Sequence, residues 1–254
     1  MIVDADCHIS PLREGGNITV EELLRRMDRS GVDKALVWLT PPYGREIDES
    51  NAYVHAAVQA HPDRLLGFGW ADPRIGVEKA RDMVKRCVDD YGFFGVKLNG
   101  AQNDFFVDDP KISLPVVEEI AKTGKLIAFH CGVDAYERTH PFRIAKIARR
   151  FPQMQVLVAH MGGVGFPDMS GAMIEMAREC SNLHLIGSMI NHTSVLDAIK
   201  ALGAGRVCFG SDTPFALMHV CVATYEALLE GEVTSGGKAQ VMGGNLLRLF
   251  GLGA

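Results

Sequence analysis

The first segment with the chemistry of a binding site follows directly on an apolar start. Residues 2–8 read IVDADCH, so the apolar start leads into Asp4, Asp6 and His8. In a β-strand alternate side chains point to one face, which places Asp6 and His8 together and Asp4 below them. A carboxylate and an imidazole two positions apart can bind one cation. The segment therefore indicates a metal or substrate site at the end of a strand.

Other polar residues end apolar runs at long intervals along the chain. They are Lys97, His130, His160 and Asp212, and His192 lies in a loop after a further run. We expect His130 and Asp212 to complete a set of metal ligands with the pair from the first segment. Imidazole and carboxylate ligands suit one divalent ion, with zinc preferred over manganese or iron. Such an ion would lower the pKa of a bound water toward neutrality and supply a hydroxide nucleophile.

Short apolar runs that alternate with longer helical segments indicate the elements that position these residues. The predicted strands are 2–8, 34–39, 65–70, 93–98, 125–130, 155–160, 183–188 and 206–211. The predicted helices lie near 19–30, 48–61, 76–90, 112–123, 139–151, 168–179, 193–202 and 215–230. Runs that are apolar throughout, rather than alternating, are typical of parallel strands covered by helices.

This alternation predicts the fold class. About eight strand–helix units in 254 residues favour an α/β protein with a single-domain (β/α)₈ TIM barrel. Residues 237–250 would add a C-terminal helix. An open doubly wound sheet is the alternative, but the absence of a Gly-x-Gly-x-x-Gly motif after an early strand weakens its dinucleotide-binding version. The polar residues then fall at the carboxyl ends of the strands, where barrel active sites are built.

Composition and charge exclude several classes of partner. Lysine and arginine number 26 against 31 aspartate and glutamate residues, a net charge of -5, and no basic run stands out. We therefore expect no nucleic-acid partner. No apolar stretch approaches the roughly 18 residues of a membrane span, and the six cysteines are scattered without a Cys-x-x-Cys motif. These features predict a protein without membrane association, with reduced thiols and a cytoplasmic location.

At these residues the sequence resembles the amidohydrolase superfamily. The closer similarity is to its amidohydrolase-related branch, which includes aminocarboxymuconate-semialdehyde decarboxylase. The segments that carry the resemblance span nearly the whole chain: IVDADCH, NAYVHAAVQAHPDRLLGFGWADP, GFFGVKLNG, LIAFHCG, VLVAHMGG, RVCFGSDTPF and GGNLLRLFG. The resemblance implies a (β/α)₈ barrel with a metal at the carboxyl ends of the strands. Asp6 replaces the first of two histidines in the usual strand-one motif, and a carboxylate there could favour manganese over zinc.

The resemblance also implies a role for each candidate residue. The implied metal ligands are Asp6, His8, His130 and Asp212. Asp212 would in addition act as the general base, and His160 would polarise the scissile group or help to activate the water. Lys97 would bind a substrate carboxylate, or alternatively form a carbamate that bridges two metals.

Several functions are compatible with this set of residues. The first is a metal-dependent hydrolase in which a metal-activated water attacks a small amide, ester or lactone. The alternative with the same ligands is a non-oxidative decarboxylase of a small unsaturated or aromatic carboxylic acid. A metal-independent lactonase is a third function, and a binding barrel without catalytic activity is the non-enzymatic one.

The expected substrate is small, because the predicted loops at the barrel mouth are short, and anionic, because basic side chains lie near that mouth. Besides Lys97, His192 is a predicted substrate contact. Arginines near the mouth could also hold an anion; they are Arg45, Arg74, Arg138 and Arg143. The family resemblance adds a homodimer as an expected assembly.

Overall fold

A computed structural model describes residues 1–12, 15–40, 47–163 and 169–253. Its strands are β1 (Val3–Ile9), β2 (Lys34–Leu39), β3 (Leu65–Gly67), β4 (Gly69–Trp70), β5 (Gly95–Leu98), β6 (Leu126–His130), β7 (Val156–Ala159), β8 (Leu183–Ile186) and β9 (Val207–Cys208). Its helices are α1 (Val20–Ser30), α2 (Ile47–Ala60), α3 (Val77–Lys85), α4 (Ser113–Lys122), α5 (Tyr136–Thr139), α6 (Pro141–Arg150), α7 (Met169–Glu179), α8 (His192–Leu202), α9 (Met218–Leu229), α10 (Ser235–Ala239) and α11 (Asn245–Leu249). None of the described helices is long and apolar enough to cross a membrane.

The strands pair in parallel, and neighbours in sequence are neighbours in space. The order is β1-β2-β3 in one sheet and β4 through β9 in the other. The predicted strand 65–70 is interrupted at Phe68, which separates β3 from β4. Phe68 N still donates to Val37 O at 3.0 Å, so the two pieces continue along the same neighbour. The two sheets are therefore parts of one parallel array.

Hydrogen bonds between the first and last strands join the two ends of this array. Ala5 N donates to Phe209 O at 3.0 Å, and His8 N donates to Thr213 O at 2.7 Å. Cys7 also forms a parallel bridge with Thr213. The segment that follows β9 thus lies beside β1, as in a (β/α)₈ TIM barrel, and the predicted fold class is confirmed.

The strands are apolar throughout because both of their faces are buried. On β2, Leu36 and Trp38 pack in the barrel interior, whereas Val37 and Leu39 pack against the surrounding helices. The C-terminal helical segment contributes Phe250 to the interior cluster, where its ring stacks on Phe94 with centroids 4.4 Å apart. The predicted C-terminal helix is present in pieces, as α10, a π-helical turn and α11.

A bulge in β1 decides which carboxylate enters the barrel. The register with β2 shifts between Asp4 and Cys7, which gives β1 one extra residue. Ala5 packs in the barrel interior, whereas Cys7 packs with the helices. The prediction that Asp4 lies below Asp6 on the same face is therefore wrong. Asp4 lies outside the barrel, where its Oδ1 accepts hydrogen bonds from Asp6 N at 3.0 Å and Ser211 N at 2.9 Å.

Gly95→Ala is expected to destabilise the barrel. A Cβ at Gly95 would lie 2.2 Å from Leu126 O and 2.4 Å from Phe68 Cζ. Overpacking a core costs about 1–3 kcal/mol, so the free energy of unfolding measured by urea titration should fall by at least that amount. Gly171→Ala in α7 is the matched control, because its Cβ would meet no atom within 4 Å. Equal loss of stability in both variants would contradict the close packing at β5.

Candidate active site

Asp6 lies at the centre of a group of buried polar side chains at the carboxyl ends of the strands. Its Oδ2 accepts a hydrogen bond from Ser188 Oγ at 2.5 Å. Its Oδ1 is buried and has no hydrogen-bond partner among the described residues, with His8 Nε2 3.5 Å and Lys97 Nζ 3.9 Å away. Burial raises the pKa of Asp6, but Lys97, His8 and His160 outweigh it and bring the pKa well below its usual range. Asp6 is therefore a buried carboxylate with one oxygen left for a cation.

His8 faces the same point from the end of β1. Its Nδ1 lies 2.8 Å from Leu39 O, and its Nε2 accepts the indole N–H of Trp38 at 2.9 Å. The same Nε2 lies 3.4 Å from Asp212 Oδ1. Burial lowers the pKa of His8, but Asp212 and Asp6 outweigh it, so the net shift is upward. The two carboxylates thus favour a positive charge, such as a bound cation, beside His8 Nε2.

His160 follows β7, and its ring is held by the end of β8. Its Nδ1 lies 3.0 Å from Ser188 Oγ and 3.2 Å from Ser188 O. Since the Ser188 hydroxyl donates to Asp6, the Nδ1–H is the donor in both contacts and Nε2 keeps its lone pair. Burial lowers the pKa of His160, so the ring is neutral at pH 7. A backbone carbonyl that accepts from one ring nitrogen is the usual support of a metal-binding or base imidazole.

One group among the described residues could hold a metal ion: Asp6, His160 and Asp212, whose candidate ligand atoms all lie within 4.8 Å of one another. His8 Nε2 contacts both carboxylates of this group at 3.4–3.5 Å. The structure thus brings together three of the four predicted ligands. It adds His160, for which the sequence predicts a catalytic role.

The fourth predicted ligand, His130, has a different partner. Its Nε2 lies 2.8 Å from Asp134 Oδ1, and its ring lies 4.8 Å from that of His160. Burial raises the pKa of Asp134, but the hydrogen bond with His130 outweighs it and lowers the pKa. A Cβ at Gly132 would lie 3.0 Å from Asp134 Oδ1 and 3.1 Å from His130 Nε2. The glycine therefore leaves room for this pair, and His130 remains a predicted ligand.

Lys97 is buried on β5 beside these groups. Its Nζ lies 3.6 Å from the centroid of the Trp38 ring and 5.2 Å from that of Trp70. Burial lowers the pKa of Lys97, and Asp6 and Asp212 act in the opposite direction. The ammonium thus lies between two aromatic rings and two carboxylates, where a substrate carboxylate could reach it.

A cavity of about 240 Å³ joins these side chains. It is lined by His8, Lys97, Asn99, Gln102, His130, Asp134, His160, Met189, Asp212 and Phe215. Sequence reasoning missed five of these residues: Asn99, Gln102, Asp134, Met189 and Phe215. A signal existed for Asp134, because an acidic residue four positions after His130 can reach it. His192 is exposed at the first position of α8 and does not line this cavity, so its contact with substrate stays a prediction.

Backbone strain is concentrated at this cavity. Three of its residues have left-handed backbone conformations: His160 with φ 64°, Met189 with φ 51° and Asp212 with φ 58°. Residues other than glycine rarely adopt this conformation, which costs about 1–3 kcal/mol each and is found mainly at active sites and ligand clamps. The strain supports a functional role for the cavity.

Three of the predicted arginine contacts pair with carboxylates outside the cavity lining. Arg74 and Arg138 lie 3.5 Å and 2.5 Å from the Asp104 carboxylate. Arg143 lies 2.6 Å from Asp108. Arg45 lies outside the described residues. Lys97 is therefore the cation that the described structure places in the cavity wall.

The donor set at Asp6 fits a divalent metal ion. Asp6 Oδ1 is buried without a hydrogen-bond partner among the described residues, and candidate ligand atoms of Asp6, His160 and Asp212 all lie within 4.8 Å of one another. Two carboxylates and an imidazole suit manganese, iron or zinc. The site thus has the ligand types and the spacing that the predicted cofactor requires.

Comparison with known proteins finds relatives in sequence and in fold. At 24% identity, the chain matches 2-amino-3-carboxymuconate-6-semialdehyde decarboxylase of Dictyostelium discoideum over 80% of its own length and 65% of the relative's. Its fold matches 5-carboxyvanillate decarboxylase of Sphingomonas paucimobilis with a TM-score of 0.79 at 20% identity, over 98% of both chains. A dihydroxybenzoic acid decarboxylase of a Polaromonas species, solved with manganese and 2-nitroresorcinol, matches with a TM-score of 0.76 at 18% identity, over 99% and 97% of the two chains.

The two solved structures share the fold of this chain. The chain spans about 65% of the length of the Dictyostelium protein. The family model described as amidohydrolase matches residues 3–252, which is nearly the whole chain. Apart from Ile2, the segments that carry the resemblance all lie within that match. The chain belongs to the amidohydrolase family.

Proposed function

We propose that the protein is a non-oxidative decarboxylase of a small aromatic or unsaturated carboxylic acid and that it depends on one divalent metal ion. The observation that carries the proposal is a single cavity in which the buried ammonium of Lys97 lies beside carboxylates, imidazoles and the apolar Met189 and Phe215. The names of the relatives favour decarboxylation over the hydrolysis that the sequence predicts first. We therefore place decarboxylation before hydrolysis as the proposed reaction.

The proposed metal ligands are those predicted from the sequence: Asp6, His8, His130 and Asp212. His160 could exchange roles with His130, since its Nε2 keeps a lone pair and the residue belongs to the group with Asp6 and Asp212 that could hold a metal ion. When bound, the ion would polarise the substrate as a Lewis acid. Two carboxylate ligands favour manganese over zinc, and the Polaromonas relative was solved with manganese.

The cavity selects a small anionic substrate. Its volume of about 240 Å³ is below the roughly 300–1,000 Å³ of pockets for drug-sized ligands. The Lys97 ammonium binds the substrate carboxylate, and Met189 and Phe215 cover the apolar ring. Phe215 lies edge-on to His8 with centroids 5.5 Å apart, which fixes its position at the cavity wall. This arrangement presents the carboxylate-bearing carbon to the polar side of the site.

Asp212 supplies the proton that replaces CO₂. A carboxyl oxygen of Asp212 delivers a proton to the carbon that bears the carboxylate. The bond between that carbon and the carboxylate then breaks, its electron pair stays with the carbon, and CO₂ leaves. Asp212 regains a proton from water. His160, neutral and held by Ser188, directs Nε2 toward the substrate and orients a polar substituent.

The direct test is an assay of CO₂ release by the Mn²⁺-loaded protein. The panel contains 2,6-dihydroxybenzoate, 5-carboxyvanillate and 2-amino-3-carboxymuconate semialdehyde, with small lactones and amides assayed in parallel. We expect CO₂ release from at least one acid. We expect hydrolysis of every lactone and amide to be slower than this release. Hydrolysis of a lactone or amide without CO₂ release from any acid would contradict the proposal and favour the hydrolase function.

Lys97→Met is expected to raise the KM for the best acid by about 10- to 100-fold. Hydrogen bonds to a charged group contribute about 1.5–3 kcal/mol, and the variant removes the charge that binds the carboxylate. Lys122→Met on α4 is the control, because Lys122 is exposed and pairs with Glu119. An unchanged KM in a folded Lys97→Met protein would remove Lys97 from substrate binding. Thermal unfolding of both variants separates loss of binding from loss of fold.

A further inference from the structure

Trp38 contacts two of the residues that define the active site. It is fully buried on β2, and its indole N–H donates to His8 Nε2 at 2.9 Å. The face of the same ring lies 3.6 Å from Lys97 Nζ. In the sequence Trp38 stands within the apolar run KALVWL and reads as a core residue. The structure shows a second role for Trp38. Its N–H binds the lone pair of His8 Nε2, which a metal ion would also need.

Both nitrogens of His8 are occupied in this arrangement. Because Nε2 accepts from Trp38, the proton of the neutral ring is on Nδ1, which donates to Leu39 O at 2.8 Å. This tautomer is the correct one for metal binding through Nε2. Nε2 also lies 3.4–3.5 Å from the carboxylates of Asp212 and Asp6. One lone pair therefore faces both an indole donor and the cation position.

The geometry points to Trp38 as a positioning residue that lowers the affinity of the site for divalent metal by competing for His8 Nε2. This inference rests on the proposed metal dependence. In the metal-bound protein the buried indole N–H loses its acceptor, and an unpaired buried donor is costly. In the metal-free protein the same bond holds His8 in the orientation and tautomer for ligation. Trp38 thus weakens metal binding, but it keeps His8 in position for ligation before the metal binds.

Trp38→Phe isolates this effect. Phenylalanine keeps an aromatic face for Lys97 and removes the N–H. The loss of one competing hydrogen bond of about 1 kcal/mol corresponds to about a fivefold gain in Mn²⁺ affinity. Trp70→Phe is the matched control: its ring also faces Lys97 and lies 6.5 Å from His8, but its indole N–H donates to Asn103 Oδ1 at 2.8 Å. We expect its Mn²⁺ affinity to equal that of the wild type.

The experiment measures Mn²⁺ dissociation constants of the three proteins by isothermal titration calorimetry. Tighter binding by Trp38→Phe alone supports the inference, and equal or weaker binding by a folded Trp38→Phe protein overturns it. Absence of Mn²⁺ binding by the wild type would instead contradict the proposed function, and the inference would fall with it.

A second readout uses the wild-type protein, in case Trp38→Phe does not fold. The chain contains two tryptophans, so ¹⁵N-labelled tryptophan gives two indole N–H resonances. Addition of diamagnetic Zn²⁺ should move the Trp38 resonance upfield, as its hydrogen bond breaks, and leave that of Trp70 in place. An unmoved Trp38 resonance at saturating Zn²⁺ would overturn the inference.

Discussion

Asp212→Asn should lower the turnover number for decarboxylation by at least about 10³-fold and leave the protein folded. An amide keeps the shape and a hydrogen-bonding oxygen of the side chain, but it cannot deliver a proton to carbon. Asparagine also tolerates the left-handed backbone of Asp212, whose φ is 58°, so the thermal unfolding midpoint should change little. Initial rates of CO₂ release at saturating substrate and Mn²⁺ measure the effect.

Asp104→Asn is the matched control for this substitution. Asp104 has the same residue type and a similar backbone, with φ 62°, but it pairs with Arg74 and Arg138 outside the cavity lining. We expect its turnover number to remain within about twofold of the wild type, as is usual for substitutions away from the site. A fully active Asp212→Asn protein would eliminate Asp212 as the proton donor. Equal inactivation of both variants would assign the loss to the backbone rather than to the carboxyl group.

Removal of the metal should abolish activity, and Asp6→Asn should weaken Mn²⁺ binding by at least about 100-fold. Changes to groups that only support metal ligands cost 10- to 100-fold in affinity, so loss of a charged ligand should cost more. Asp6 Oδ1 is the buried oxygen without a hydrogen-bond partner among the described residues, which makes it the principal anionic donor. Dialysis against a chelator, followed by addition of Mn²⁺, should remove and then restore CO₂ release.

The same titrations distinguish the two candidate imidazole ligands. His130→Ala should weaken Mn²⁺ binding if the sequence-based ligand set is correct, and His160→Ala should then affect turnover more than affinity. Asp109→Asn serves as the control, because Asp109 lies on the loop before α4 and does not line the cavity. Unchanged Mn²⁺ affinity in Asp6→Asn, or full activity after chelation, would contradict the proposed metal site and favour a metal-independent reaction.

The barrel could be predicted because its strands are buried on both faces. The predicted run 34–39 coincides with β2, and the alternation of Trp38 inward with Val37 outward requires apolar residues at every position. The length of the last strand was harder to predict: the predicted run is 206–211, whereas β9 is Val207–Cys208. The segment after Cys208 binds β1 through isolated hydrogen bonds rather than a regular ladder. Strand positions follow from hydrophobicity, whereas the exact ends depend on tertiary contacts.

The candidate site could be predicted in part. Asp6, His8, Lys97, His160 and Asp212 meet at the carboxyl ends of the strands, as barrel topology requires. The bulge that moves Asp4 outside the barrel has no signature in residues 2–8, because strict alternation fits them equally well.

The supporting contacts could not be predicted. Ser188 holds both Asp6 and His160 across 182 and 28 positions of chain, and Trp38 resembles any core residue until its N–H is located. Pairings over such distances depend on side-chain orientation in the folded barrel. The homodimer and the cytoplasmic location stay predictions.

Anomalous diffraction at the manganese edge from crystals grown with Mn²⁺ would show directly where the protein binds the ion. We expect one anomalous peak within coordination distance of Asp6 and Asp212, with His8 Nε2 bound to the ion instead of to the Trp38 indole N–H. A peak elsewhere on the protein, or none at saturating Mn²⁺ in crystals that still turn over substrate, would contradict a metal-dependent decarboxylase site at this barrel mouth.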